Sequence, residues 1–188
     1  MILKSSQSPS FREILTFWYS DEIRKYWYRS TPEFDAKVHE LYLPLWQEAQ
    51  AGELSHWNEE ASSLAALVIV LDQFPLHMFR GRPESFASLS QAIAATRLAV
   101  SNGFDRALDQ SMLGFLYMPL MHSESLQDQV LSVQLYREAG LTKNLRFAIH
   151  HHDLVKEFGR FPHRNSILGR QSTTEELDYL KSKRAFKG

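Results

Sequence analysis

The chain has 188 residues, 44% of them hydrophobic and 23% charged, enough for one domain that buries about 70% of the surface its unfolded form would expose. Its formal net charge of −1 offers nucleic acid no global attraction, and its zero cysteines exclude disulfide staples and thiolate zinc sites while fitting a reducing compartment. The longest apolar run, residues 64–71, is far short of the about 18 residues of a membrane span, and no secretory signal is visible over residues 1–10.

These bounds predict a single cytoplasmic domain over residues 1–188, with neither membrane nor nucleic acid as partner. Aromatic residues make up 12% of the chain, so bulky rings are expected to fill the space between elements. Phe11, Ile14, Leu15 and Trp18 follow the spacing of one helix face, with Ser10 placed as N-cap. Thr31-Pro32 reads as a cap followed by proline at the first helical position. The stripe Phe34, Val38, Leu41, Leu45 and Trp46 follows, up to Gly52, and Pro44 either kinks or splits this helix. Ser55 or Asn58 opens the next, whose run 64–71 is apolar on every side; a buried strand is the rival reading, and the flanking Ala and Glu residues with no nearby turn signal favour an enclosed helix.

A helix is expected from Glu84 to Ser101, stopped by Asn102-Gly103. Asp105 caps the next, toward Phe115. Ser123 or Ser125 opens a segment carrying Leu126, Val130, Val133 and Leu135 before Gly140. Thr142 starts a long helix with Leu145, Ile149, Leu154 and Phe158 inward. Residues 172–176, Ser-Thr-Thr-Glu-Glu, fit a capping box in two overlapping registers, with Leu177 and Leu180 behind it, and the basic tail 181–188 is expected to fray. No alternating polar/apolar run supports a strand. The fold class is all-α, about eight helices in antiparallel pairs.

Polar chemistry concentrates in residues 158–170. Three arginines (Arg160, Arg164, Arg170), His163 and Asn165 sit there among Gly159, Pro162 and Gly169. Guanidinium groups are rarely buried unless paired. The segment is therefore a structural ion-pair network using Asp72, Glu124 or Asp153, an anion pocket, or a local nucleic-acid surface, which the overall charge disfavours. Gly159 and Gly169 would permit close backbone approach. Asp72-Gln73 follows the apolar helix, with Arg80 as the nearest basic partner, either as a staple or as part of a site. His122-Ser123-Glu124 combines an imidazole with a carboxylate, although adjacent helical side chains do not face each other. The triple histidine 150–152 cannot converge on one ion from consecutive helical positions, and no metal is assigned.

Several ordered segments resemble an uncharacterised bacterial family, catalogued as domain of unknown function 924. They are Phe17-Trp18-Tyr19, Trp27-Tyr28 with Phe34-Asp35, Leu71-Asp72-Gln73-Phe74-Pro75 leading to Met78-Phe79-Arg80-Gly81, the stretch from Tyr117 to Glu124, and that from His151 through Arg170 to Ser172-Thr173. The resemblance implies a tetratricopeptide-like helical superhelix and no established activity. It also marks His151 as the histidine to place inward. Two departures stand out: His77 where the family often has asparagine, and Leu89 where an acid commonly follows the Phe86-Ala87 pair.

The functional expectation is a hydrolase-like enzyme for a small anionic metabolite or phosphate ester. His122, Glu124, His163 and Asp72 would be its catalytic groups, and Arg80, His151, Arg160, Arg164, Asn165, Arg170 and Gln73 would hold the ligand. The alternative is a non-catalytic helical module that clamps a peptide or protein carboxylate. No cofactor is assigned on either reading.

Overall fold

The computed structural model describes residues 8–186, and every regular element among them is helical. They gather into two compact units. The first takes residues 8–80 and Ser85–Leu108, the second Gly81–Glu84 and residues 109–186.

In the first unit, α1 (Phe11–Trp18) starts at a complete capping box: Ser10 Oγ accepts from the Glu13 N–H, and the Glu13 carboxylate accepts from the Ser10 N–H at 2.8 Å. One short turn, α2 (Asp21–Arg24), precedes α3 (Pro32–Gln50), which is capped by Thr31 and runs through Pro44 without splitting. Tyr42, not Leu41, continues its Phe34–Val38 row at i+4. Leu41 stays 47% exposed. A 3-10 turn occupies Ser55–Asn58, so the next helix opens only after Glu60.

That helix is the centre of the unit. α4 (Ala61–Val68) passes into a π-helical turn, Ile69–Gln73, and then α5 (Phe74–Met78), and residues 63–75 are all buried. It is the one helix among the described residues long and apolar enough to cross a membrane, and 83% of it is already buried within the protein.

The π turn has a local cause. Pro75 has no N–H to give the Leu71 carbonyl four residues back. The Ser88 hydroxyl donates to that carbonyl instead, at 2.6 Å, and Ser88 Oγ in turn accepts from Trp46 Nε1 at 2.8 Å. Ser88 is the N-cap residue of α6 (Leu89–Ser101), which begins later than Glu84 because Pro83–Phe86 forms a 3-10 turn. α6 ends where Gly103 takes φ +68. α1 and α6 pack against α4, and α3 against α5.

Phe104–Ala107 is a 3-10 turn, so Asp105 caps no α-helix. Asp109 does so instead, accepting from the Met112 N–H at 3.0 Å to open α7 (Gln110–Leu116) in the second unit. α8 (Met118–His122), α9 (Leu126–Glu138), α10 (Thr142–Phe158) and α11 (Thr174–Lys181) follow. α9 and α10 pack along each other, joined through Gly140 at φ +68.

The inward face of α9 differs from the expected stripe. Leu126 and Val130 are exposed, while Asp128, Gln129, Ser132, Leu135 and Tyr136 are buried. Unmatched carbonyls on the neighbouring helices explain the exchange. Gln129 Nε2 donates to Met121 O at 2.8 Å and Ser123 O at 2.6 Å, and Tyr136 Oη donates to Gly114 O at 2.9 Å. α10 likewise buries Ala148, His151, Leu154 and Val155 and leaves Ile149 exposed.

Leu154, Val155, Phe161 and Tyr179 form the core beside α11, with Phe158, Leu180 and Phe186 against it. The tail expected to fray thus returns Phe186 to the core; residues 187 and 188 lie outside the described residues.

Ser88→Ala removes one hydroxyl and strands two buried groups, the Leu71 carbonyl and the Trp46 indole N–H. The expected loss is about 1–3 kcal/mol in a urea melt. An unchanged midpoint would contradict this account of the π turn.

Candidate functional site

The polar segment after α10 is built around two carboxylates. Gly159 ends α10 at φ +71, and Gly169 turns the chain at φ +65 just before Arg170. A Cβ at either glycine would meet nothing within 4 Å, so the left-handed backbone calls for glycine there, and the expected close approach does not occur.

Arg170 grips Glu124 with both forks, Nη1 to Oε2 at 2.6 Å and Nη2 to Oε1 at 2.9 Å, and the same carboxylate accepts from the Phe161 N–H at 2.8 Å. Arg160 grips Glu176 in the same manner, Nε to Oε1 at 2.6 Å and Nη2 to Oε2 at 2.8 Å. Asn165, fully enclosed, joins the two pairs: its Nδ2 donates to Glu176 Oε2 and its Oδ1 accepts from Arg170 Nε, both at 3.0 Å.

Glu176 is also the capping-box residue of α11, accepting from the Thr173 N–H at 2.8 Å. The hydrogen bonds from Arg160 outweigh the opposing effect of burial, and with those from Thr173 and Asn165 they hold the Glu176 carboxyl down at about 2. Burial alone would raise Glu124, but Arg170, the Phe161 N–H and the charge of Arg164 hold it below the ordinary carboxylate value.

These contacts reassign the predicted ligand set. Arg160 and Arg170 are neutralised by internal acids, Asn165 bridges the two pairs, and Glu124 is bound to Arg170. Arg164 is buried, its guanidinium 4.5 Å over the Phe161 ring and its Nη1 donating to the His122 carbonyl at 2.8 Å. His151 donates Nδ1–H to the Phe147 carbonyl at 2.8 Å. Burial pushes His151 down to about 3, with the charges of His122 and Arg164 adding to it. His163 falls to about 4 from burial and the charge of Arg164. Both imidazoles are neutral at pH 7.

The first unit holds Asp72, Gln73 and Arg80. Asp72 accepts from the Gln73 amide. The expected Asp72–Arg80 staple does not form: Arg80 Nε donates to Asp35 Oδ2 at 2.7 Å. Asp35 also accepts from His77 Nδ1 at 2.9 Å and from the Ser30 hydroxyl at 2.5 Å. Burial works against ionisation of Asp35, yet the bonds from Arg80, Ser30 and His77 keep it below its ordinary value. Burial pulls His77 down despite Asp35. This knot ties the loop before α3 to the end of α5. Asp35 entered the sequence reading only through the resemblance, because nothing in the spacing announces a contact across 45 residues.

The second unit has two clefts that share Phe186 as a wall. One, of about 380 Å³, is lined by Pro162, His163, Ser166, Ser172, Leu177 and Leu180 among others. The other, of about 350 Å³, is lined by Lys143, Arg146, Phe147, His150 and Phe186. Lys143 and Arg146 make no ion pair among the described residues. They stand near the N-terminus of α10, whose first turn carries no acid and whose N-cap, Leu141, makes no side-chain bond. Cations are unfavourable there. Both residues were missed, although their i, i+3 spacing beside Phe147 and His150 is legible in the sequence.

Two pH windows follow. Both histidines have folded pKa values below the unfolded value of about 6.5, so the unfolded chain takes up protons first. Their stability contribution is complete above that pH and is lost as pH falls toward about 4 and about 3. Between pH 7 and 5 the expected loss is about 2 kcal/mol per histidine at most, and His151→Leu should flatten the melting-temperature profile over that range. The contribution of Glu176 survives this interval and disappears only below pH 4.5. Glu176→Ala, which takes the acceptor from the enclosed Asn165 amide and the Thr173 N–H as well as from Arg160, should lower the denaturation midpoint at pH 7. Denaturant melts at pH 7 and 5 check both effects.

No curated protein matches the chain. Among solved structures, a protein of unknown function from Agrobacterium tumefaciens, ATU0120, is similar at 34% sequence identity with a TM-score of 0.86, covering 91% of this chain and 96% of that one. The model of a bacterial family described as proteins of unknown function matches residues 14–184, and with that span covered the chain belongs to this family, domain of unknown function 924.

Proposed function

We propose that the protein binds a small anionic metabolite, a carboxylate or phosphate ester, in the groove beside the first turns of α10. The carrying observation is the pair Lys143 and Arg146, two cations on one helix face without an internal acid, bordering a cleft of about 350 Å³. Lys143 in the first turn of α10 costs stability, and an anion held by it and by Arg146 one turn on offsets that cost. The volume lies in the range of small-ligand sites and is too small for a folded partner.

Binding is a better reading than hydrolysis. Arg160 and Arg170 already hold carboxylates, so the anion clamp of the hydrolase model is occupied. Glu124 is fixed by Arg170 and the Phe161 N–H and is not positioned as a free base. His163, at about 4, is too weakly basic to take a proton efficiently near neutral pH. The same occupied arginines weaken the reading of a clamp for a peptide carboxylate.

Thermal melts with phosphate, succinate and citrate test the proposal. The wild type should gain about 1–3 kcal/mol at saturating anion. The double variant Lys143→Ala/Arg146→Ala should melt slightly higher without ligand, by about 0.3–1 kcal/mol from the first-turn charge of Lys143, and should lose the anion response. A response of equal size in the double variant would refute this site.

A further inference from the structure

Phe186 is held lightly for a residue that packs on a core. Its backbone N–H donates to Tyr179 Oη at 2.8 Å. The neighbouring Arg184–Glu157 pair, at 3.2 Å, joins side chains that are 67% and 47% exposed, where an ion pair contributes little. The ring nevertheless sits among imidazoles, its centroid 4.6 Å from that of His151, 5.1 Å from His163 and 6.1 Å from His150. It forms part of the wall of both clefts. Phe186 thus stands between the groove that Lys143 and Arg146 border and the one lined by Pro162, Leu177 and Leu180.

Beneath the ring, the environment is built for an uncharged guest. His151 and His163 face Phe186 as neutral rings, and Phe161 lies behind them, 5.3 Å and 5.6 Å from the two imidazoles. His163 Nδ1 is buried with no hydrogen-bond partner among the described residues, an unmet polar group beside these rings, with the Arg164 guanidinium over the Phe161 ring at 4.5 Å. Phe147 and Leu177, 55% and 46% exposed, extend the apolar surface on the two sides of the ring.

We propose that the ligand is an amphipathic anion, an aryl or medium-chain acyl carboxylate, whose apolar part takes the place of Phe186 while its carboxylate rests on Lys143 and Arg146. Phe186 is then an internal competitor that the ligand must displace. This deepens the anion-binding reading and rests on it. The apolar specificity comes from the aromatic cage and the charge specificity from the two α10 cations.

Isothermal titration calorimetry with octanoate, 2-naphthoate, acetate and octanol, on the full chain, tests the proposal. The wild type should bind octanoate and 2-naphthoate more tightly than acetate or octanol, since only the first two carry both halves. Phe186→Ala, by removing the competitor, should tighten octanoate about tenfold and leave acetate unchanged. Lys143→Ala/Arg146→Ala should weaken octanoate and acetate alike.

Should Phe186→Ala be unstable, Phe186→Trp reports directly: the four native tryptophans all lie in the first unit, and octanoate should shift the added indole's emission to the red as it leaves the cage. Octanoate no tighter than acetate, with the added indole unmoved, overturns this inference while leaving the anion site intact. If no anion binds at all, the anion-binding reading falls and this one falls with it.

Discussion

The second unit depends on one carboxylate. Glu176, 2% exposed, accepts from Arg160, Asn165 and the Thr173 N–H, so the residue that starts α11 also fixes the irregular segment preceding it. Through Asn165 and Arg170 the chain of contacts reaches Glu124, which in turn fixes the Phe161 N–H. Phe161 is fully buried between His151 and Arg164. The loop between its two left-handed glycines has one 3-10 turn, Pro162–Arg164, and a few further backbone bonds of its own. Alternating acids and guanidinium forks supply the order that a helix ladder would otherwise give, and partly buried bidentate pairs hold their geometry well.

The first unit meets a different constraint in a related way. Proline inside a buried helix leaves a carbonyl without a donor, and in the core such a group must find one. The Ser88 hydroxyl and the Trp46 indole close that gap. Gln129 and Tyr136 do the same for the short helices around Pro119. In each unit, broken helices are made tolerable by polar side chains aimed inward from neighbouring elements.

This explains which parts were legible in the sequence. Helix starts with a short-range signature were readable: Ser10 with Glu13, Thr31 with Pro32, Thr173 with Glu176. Helix rather than strand over 64–71 was readable from the residues flanking the apolar run, but the π turn from Ile69 was not. The inward face of α9 was not, because Gln129, Ser132 and Tyr136 are buried by the needs of carbonyls on other helices, and hydrophobic periodicity carries no trace of that demand. Partner choice was legible only in part: Glu124 was among the three acids expected to pair with the arginines and does hold Arg170, whereas Glu176 for Arg160 and Asp35 for Arg80 were not expected. Asp35 is 45 residues from Arg80, and Glu124 is 46 from Arg170; an arginine in a sequence announces its need for an acid without naming one. Glu176 came closest to being found, since its capping role was visible even though its ion pair was not.

The cations of the second unit separate by what surrounds them. Arg160 and Arg170 have carboxylates in bidentate geometry, and taking those carboxylates away would leave charge in a half-buried setting. Lys143 and Arg146 have no acid among the described residues and occupy a helix end where their own charge is unfavourable. A fold selected for stability alone would place Asp or Glu there, as α11 does with Glu175 and Glu176 in its first turn. Two helices of one unit thus treat their N-termini in opposite ways. The difference is hard to assign to folding, because α10 gains nothing from the arrangement that neutral residues would not also provide. The anion-binding proposal starts from this difference, and its apolar half from the neutral imidazoles and Phe186 beside the same cleft.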